Sequence, residues 1–120
     1  MRLTPIPRAA RPHTVGIAPC AQLDVNHAPS WGDEISFSFV KVEFATRTKL
    51  EKMDTRQEVT GVCYIDQSDA PTDPGQLLQE SNAAGHPARL RWQGKDYLIE
   101  TVTPHFHPDG TVHHWKVIFR

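Results

Sequence analysis

The chain has 120 residues, 38% of them hydrophobic, with ten prolines, seven glycines and a formal net charge of −1. That length suits one domain with a modest core, and the near-neutral balance excludes a general electrostatic pull toward nucleic acid or membrane. Two cysteines, Cys20 and Cys63, are too few for a disulfide scaffold. No stretch reaches membrane-spanning length, and residues 1–8 lack the apolar run of a signal peptide.

In chain order, residues 1–12 set Pro5, Pro7 and Pro12 among Arg2, Arg8 and Arg11. Proline fixes φ and lacks an amide donor, so this stretch is predicted to be an extended arm. Residues 13–17 read as a first strand, and residues 21–25 continue it after a break at Pro19. Residues 26–34 form a loop broken by Pro29, Ser30 and Gly32, with Trp31 covering the core edge. Residues 35–46 are the strongest strand. Ile35, Phe37 and Phe39 alternate with serines; then the phase flips, and Val40, Val42 and Phe44 alternate with Lys41 and Glu43. A one-residue shift of this kind predicts a β-bulge and lets one strand serve two packing surfaces.

Residues 47–58 lose apolar alternation and read as a helical turn or a flexible excursion. Residues 59–65 return to strand pattern. Residues 66–87 are a long break, relieved by a short helix that Asp73 caps and Pro74 begins. Residues 88–92 and 97–103 flank a hairpin turn at Gln93-Gly94-Lys95-Asp96. Pro108-Asp109-Gly110 marks another turn, and the last strand sets Trp115, Val117 and Phe119 on one face. The expectation is an all-β, mainly antiparallel domain over residues 13–120: a small barrel or sandwich with long loops at 47–58 and 66–87 and at most one short helix.

Candidate chemistry is thin. His105, His107, His113 and His114 flank one turn, and imidazoles on adjacent strands can ligate zinc. Neither a cysteine nor a carboxylate completes the set, and strand neighbours such as His113 and His114 are expected on opposite faces, so no metal is assigned and these four remain weak candidates. Cys63 lies mid-strand and reads as an inert core thiol, and Ser68 lies in no nucleophile elbow. No catalytic residue and no cofactor are assigned, and the chain is read as no enzyme. Charge is uneven, however. Residues 47–56 hold Arg47, Lys49, Lys52 and Arg56 against Glu51 and Asp54, whereas residues 57–88 hold no lysine or arginine but include Asp66, Asp69 and Asp73. With Arg8 and Arg11 of the arm, these aspartates suit contacts between copies or, equally, solvated loops.

The order of pieces resembles the small head–tail joining proteins of long-tailed bacteriophages, the minor capsid, head-completion and head-closure or "stopper" group. The residues that carry the likeness are Pro12-His13-Thr14-Val15, Trp31-Gly32, Phe39-Val40-Lys41-Val42-Glu43, the strand from Gly61 through Cys63 and Tyr64 to Asp66, the hairpin from Gly94 to Val102, and the ending His113-His114-Trp115-Lys116-Val117. The acidic stretch 66–87 is longer than this likeness leads one to expect. The resemblance implies a β-barrel or sandwich in a ring homo-oligomer, six or twelve copies, in the virion neck, made in the host cytoplasm. It implies a portal or adaptor protein above, a tail terminator or tail tube protein below, packaged double-stranded DNA held non-specifically, and no membrane. It also implies that the excursion carrying Arg47, Lys49, Lys52 and Arg56 faces the DNA channel. Alternatives are another ring component of the neck (an adaptor or tail terminator), a metal-dependent β-barrel enzyme using the histidines, and a monomeric ligand-binding module.

Overall fold

The computed structural model describes residues 7–51 and 54–120, and side chains outside 45–59. Its strands are β1 (His13–Ala18), β2 (Cys20–Leu23), β3 (Pro29–Trp31), β4 (Ile35–Glu51), β5 (Asp54–Asp66), β6 (Arg89–Trp92), β7 (Lys95–Phe106) and β8 (Val112–Phe119), with one helix, α1 (Pro74–Ala83). Six strands close into an antiparallel barrel in the order β1-β4-β5-β8-β7-β6, and β2 and β3 form a separate ribbon. Among the described residues no helix is long and apolar enough to cross a membrane. The expected all-β barrel is therefore what the chain builds.

Period-two patterning explains the interior. Val15 and Ile17, Phe37, Val40 and Val42, Cys63 and Ile65, Leu90, Ile99, and Val117 and Phe119 all turn inward and are buried. The predicted bulge falls at Phe39. His13 pairs with Val40 but Thr14 with Ser38, so Phe39 is the extra residue, with φ of 55°. A left-handed phenylalanine costs roughly 1–2 kcal/mol. In return Val40 and Val42 enter the core that Phe37 began, while Phe39 turns outward. The Val42 amide donates to His13 Nδ1 at 3.0 Å, tying β1 to the bulged strand.

The turn after β6 contains Gln93 and Gly94, both at positive φ (50° and 75°), as a two-residue hairpin of matched twist requires. Helix α1 begins as expected: the Asp73 carboxylate accepts from the Gly75 amide at 2.7 Å, with Pro74 in the first turn. At ten residues it is longer than the two turns expected. It packs on β7, β2 and β1, burying Leu77 and Ser81. Ser81 Oγ accepts from the Cys20 amide (2.8 Å) and donates to the His86 carbonyl (2.6 Å), fastening the helix to the start of β2.

Two expectations need correction. Residues 47–51 and 54–58 are strand rather than a helical turn, because β4 and β5 remain paired as far as Glu51 and Asp54. Within residues 26–34, Pro29–Trp31 pairs with β2; the proline sits at the first position of a short strand, where its missing donor does no harm.

Candidate functional site

Three features stand out on the barrel: a projecting ribbon, a bulge-bound arm and a histidine cluster. The ribbon follows from strand lengths. β1 pairs with β4 only as far as Val40, and β8 pairs with β5 only from Gly61. Beyond those points, residues 45–51 and 54–60 pair with each other, and among the described residues no other strand joins them. Seven residues of antiparallel strand span about 24 Å, so the ribbon leaves the body by that order of distance.

Its root is aromatic. Phe44, 44% exposed, lies 5.5 Å from Trp92, 5.9 Å from Tyr97 and 5.8 Å from Phe119, measured between ring centroids. Gly61 stands opposite Phe44 in the ladder, and a Cβ there would run into the Phe119 ring. The bare glycine is what lets that ring lie across the base of the ribbon.

The ladder also places the basic residues. Arg47 stands opposite Glu58, Glu51 opposite Asp54, and Lys49 directly opposite Arg56. Like charges directly opposite are destabilising unless a counter-charge intervenes, and the same register sets Glu58, Glu51 and Asp54 at the flanking positions of the ladder. Lys52, the fourth basic candidate, lies outside the described residues.

The expected inter-subunit charges have partners within the chain. Arg8 Nη2 and Arg11 Nη1 donate to the two Asp69 carboxylate oxygens at 2.6 and 2.8 Å. Their hydrogen bonds, Arg8 first, hold the Asp69 carboxyl below the usual carboxylate range. Arg11, 2% exposed, also donates to the Phe39 carbonyl at 2.7 Å, and the Arg8 guanidinium stands 4.2 Å over the Phe39 ring. The bulge thus presents Phe39 outward, and the arginines at residues 8 and 11 clasp it. Asp66 is buried and accepts from the Ser68 amide and hydroxyl; Asp73 caps α1. These five residues brace the fold; the Asp73 cap was expected, whereas the pairing of Arg8 and Arg11 with Asp69 was missed because those partners lie about sixty positions apart.

The four histidines do converge, as the hairpin arrangement allowed. His105 pairs with His114 in the ladder, and their rings stack at 4.6 Å with planes 5° apart. His107 meets His113 edge-on at 5.0 Å. His113 and His114 were expected on opposite faces, yet their Nδ1 atoms lie 2.7 Å apart; the register shift at His105/Phe106 marks the irregularity in this part of the hairpin. Burial, then the neighbouring His105 and His113, push the His114 imidazole below its usual range, with Asp66 opposing. Among the described residues no three His, Cys, Asp or Glu side chains are placed to hold a metal ion.

Between α1 and β7–β8 lies a groove of about 610 Å³, lined by Leu78, Val102, Phe106, Val112 and Trp115 among others. Gln76, Gln79 and Asn82 line its helix side and Asp73 is the one titratable lining residue among those described; that carboxylate is engaged at the helix start, so the groove is a mixed polar and apolar recess without an acid–base pair. Burial pushes the Cys63 thiol up to about 12, which keeps it protonated and inert at neutral pH. No protein-family model and no curated protein matches the chain.

Proposed function

We propose that the chain is a ring subunit of a bacteriophage neck, of the head-closure kind, joining the filled head to the tail and helping to retain packaged DNA. The observation that carries this reading is the paired ribbon leaving a closed barrel with Lys49 opposite Arg56. A barrel with all six strands paired around the ring has no sheet edge to offer along its body. Recognition then falls to what projects from it. A two-stranded ribbon alone is marginal in water, so one of this length is suited to a setting that supports it from outside.

Duplex DNA is a partner that suits the basic side chains of the ribbon. Residues 47–56 carry four basic side chains against two acidic ones. In one copy that excess is small; repeated around a ring it forms a basic collar. Such a collar meets phosphates at every helical position and reads no base, which suits a molecule that holds DNA of any sequence. The order of motifs from Pro12 to Val117, similar to the minor capsid group, points the same way.

The test is replacement of residues 48–57 by a two-residue Asn-Gly turn, which preserves the hairpin geometry. Particles carrying the shortened protein should assemble necks but release DNA from purified heads. Normal DNA retention in those heads removes the proposal.

A further inference from the structure

The connector reading gives the cluster of His105, His107, His113 and His114 no chemical role, and the inference drawn from it does not depend on that reading. Its geometry constrains its protonation. A hydrogen bond between two Nδ1 atoms, as at 2.7 Å between His113 and His114, needs one N–H and one lone pair, so one of these two rings supplies an unprotonated nitrogen. The parallel stack of the exposed His105 on the half-buried His114 at 4.6 Å tolerates one cation better than two, because like charges at that spacing repel. The four rings form a chain, 107 to 113 to 114 to 105, beside the turn of the β7–β8 hairpin.

We propose that these four imidazoles form a proton-operated latch: neutral, they hold the ends of β7 and β8 together across the Phe106–Val112 turn, and on multiple protonation they part and release it. The released segment is small. It is fastened mainly by the His107 amide donating to the Thr111 carbonyl at 2.7 Å and the Gly110 amide to the His107 carbonyl at 3.0 Å. It carries Phe106, 56% exposed, and with Val112 forms one wall of the groove against α1. Opening the latch therefore reshapes that groove and leaves the barrel standing.

The surrounding charges set the direction. From β5, Asp66 pairs in register with His114, and its carboxylate is already engaged by Ser68; Tyr64 stands 6.5 Å from the His114 ring. On β8, Lys116 adds positive charge two residues along from His114. In the turn, Asp109 accepts from the Thr111 amide and hydroxyl. Asp69 of the preceding 3₁₀ turn is held by Arg8 and Arg11, and on α1, which packs on β7, Asp73 is engaged as the helix cap while Glu80 carries a further negative charge. Asp66 is thus the carboxylate that opposes proton exclusion at His114, and burial with two neighbouring rings outweighs it. A histidine whose folded value lies below its unfolded one stabilises the closed form above about pH 6.5, and that contribution is lost as the pH falls.

The test is amide hydrogen exchange on the full chain at pH 7.5 and 5.5, corrected for intrinsic rates. Protection at His107 and Val112 should fall about tenfold or more at the lower pH, while Val15 and Val117 in the core ladders keep theirs. His114→Gln should keep neutral-pH protection at the tip and remove most of its pH response. A nitrogen-15 titration of the imidazoles in the unsubstituted protein provides a reading that does not depend on a variant folding; the His114 ring should take up its proton below the usual histidine range. Protection indifferent to pH, loss spread evenly over the barrel, a His114 midpoint at or above the usual histidine range, or a response that survives His114→Gln would each overturn the latch.

Discussion

Truncating Arg11 to alanine is the sharpest probe of how the bulge is held. Its guanidinium is 2% exposed and donates to the Phe39 carbonyl at 2.7 Å and to Asp69 at 2.8 Å. The Asp69 bond, between charged groups, is worth about 1.5–3 kcal/mol, and leaving the Phe39 carbonyl without this donor adds about 1 kcal/mol. Complete rupture of a buried ion pair costs about 3–5 kcal/mol, but here Asp69 keeps Arg8. Alanine also regains up to about 2 kcal/mol of the rotamer entropy that arginine lost on burial. The expected net loss is therefore about 2–3 kcal/mol, or roughly 10 °C in Tm for a domain of this size. Urea melts of the native and Arg11→Ala chains would read it directly. The loss also has a pH signature. Asp69 titrates below the ordinary carboxylate range because of Arg8 and Arg11, so its contribution is complete above about pH 3.9 and fades as the pH falls through its folded value. The gap between the two chains should narrow below about pH 4. A loss under about 0.5 kcal/mol at pH 7, or a gap constant down to pH 2.5, would show that the clasp on Phe39 does not hold the bulge.

Three further outcomes follow from the packing. Gly61→Ala drives a methyl group into the Phe119 ring and should cost about 1–3 kcal/mol, with a changed near-ultraviolet signal from the aromatic root of the ribbon. Ser81→Ala leaves the Cys20 amide without its acceptor and should cost about 1–3 kcal/mol in urea melts, with hydrogen exchange quickening first in α1 and at the start of β2. Cys63 should resist a thiol-labelling reagent at pH 8 until the barrel unfolds, since burial pushes its thiol up to about 12; its labelling rate should follow unfolding as urea is raised.

Much of the barrel was readable because alternation has a single physical cause. A strand that faces a core on one side must alternate, so the change of phase after Phe39 announced the bulge at the residue where it occurs. Asp73 and Pro74 announced the helix because an N-cap and a first-turn proline answer local geometry alone. The ribbon was not readable for the same reason reversed. Past Phe44 and Gly61 the two strands have no core to face, so residues 47–58 show no alternation and resemble a loop. The clasp of Arg8 and Arg11 on Asp69 was hidden by chain separation: basic and acidic patches were visible, and their union within one chain was not. The contact between His113 and His114 escaped for a third reason. Strict alternation sends neighbours apart, and the irregular end of the hairpin beside a register shift relaxes that rule.

The barrel is sealed by its briefest junction. Only three residue pairs join β1 to β6, Gly16 with Arg91, Ile17 with Leu90 and Ala18 with Arg89, and they unite stretches more than seventy positions apart. Bringing such distant stretches together is entropically slow, so this seam zips late during folding, after the β4–β5 and β7–β8 hairpins have formed. Under mechanical or thermal load it is also where the cylinder would first split into an open sheet.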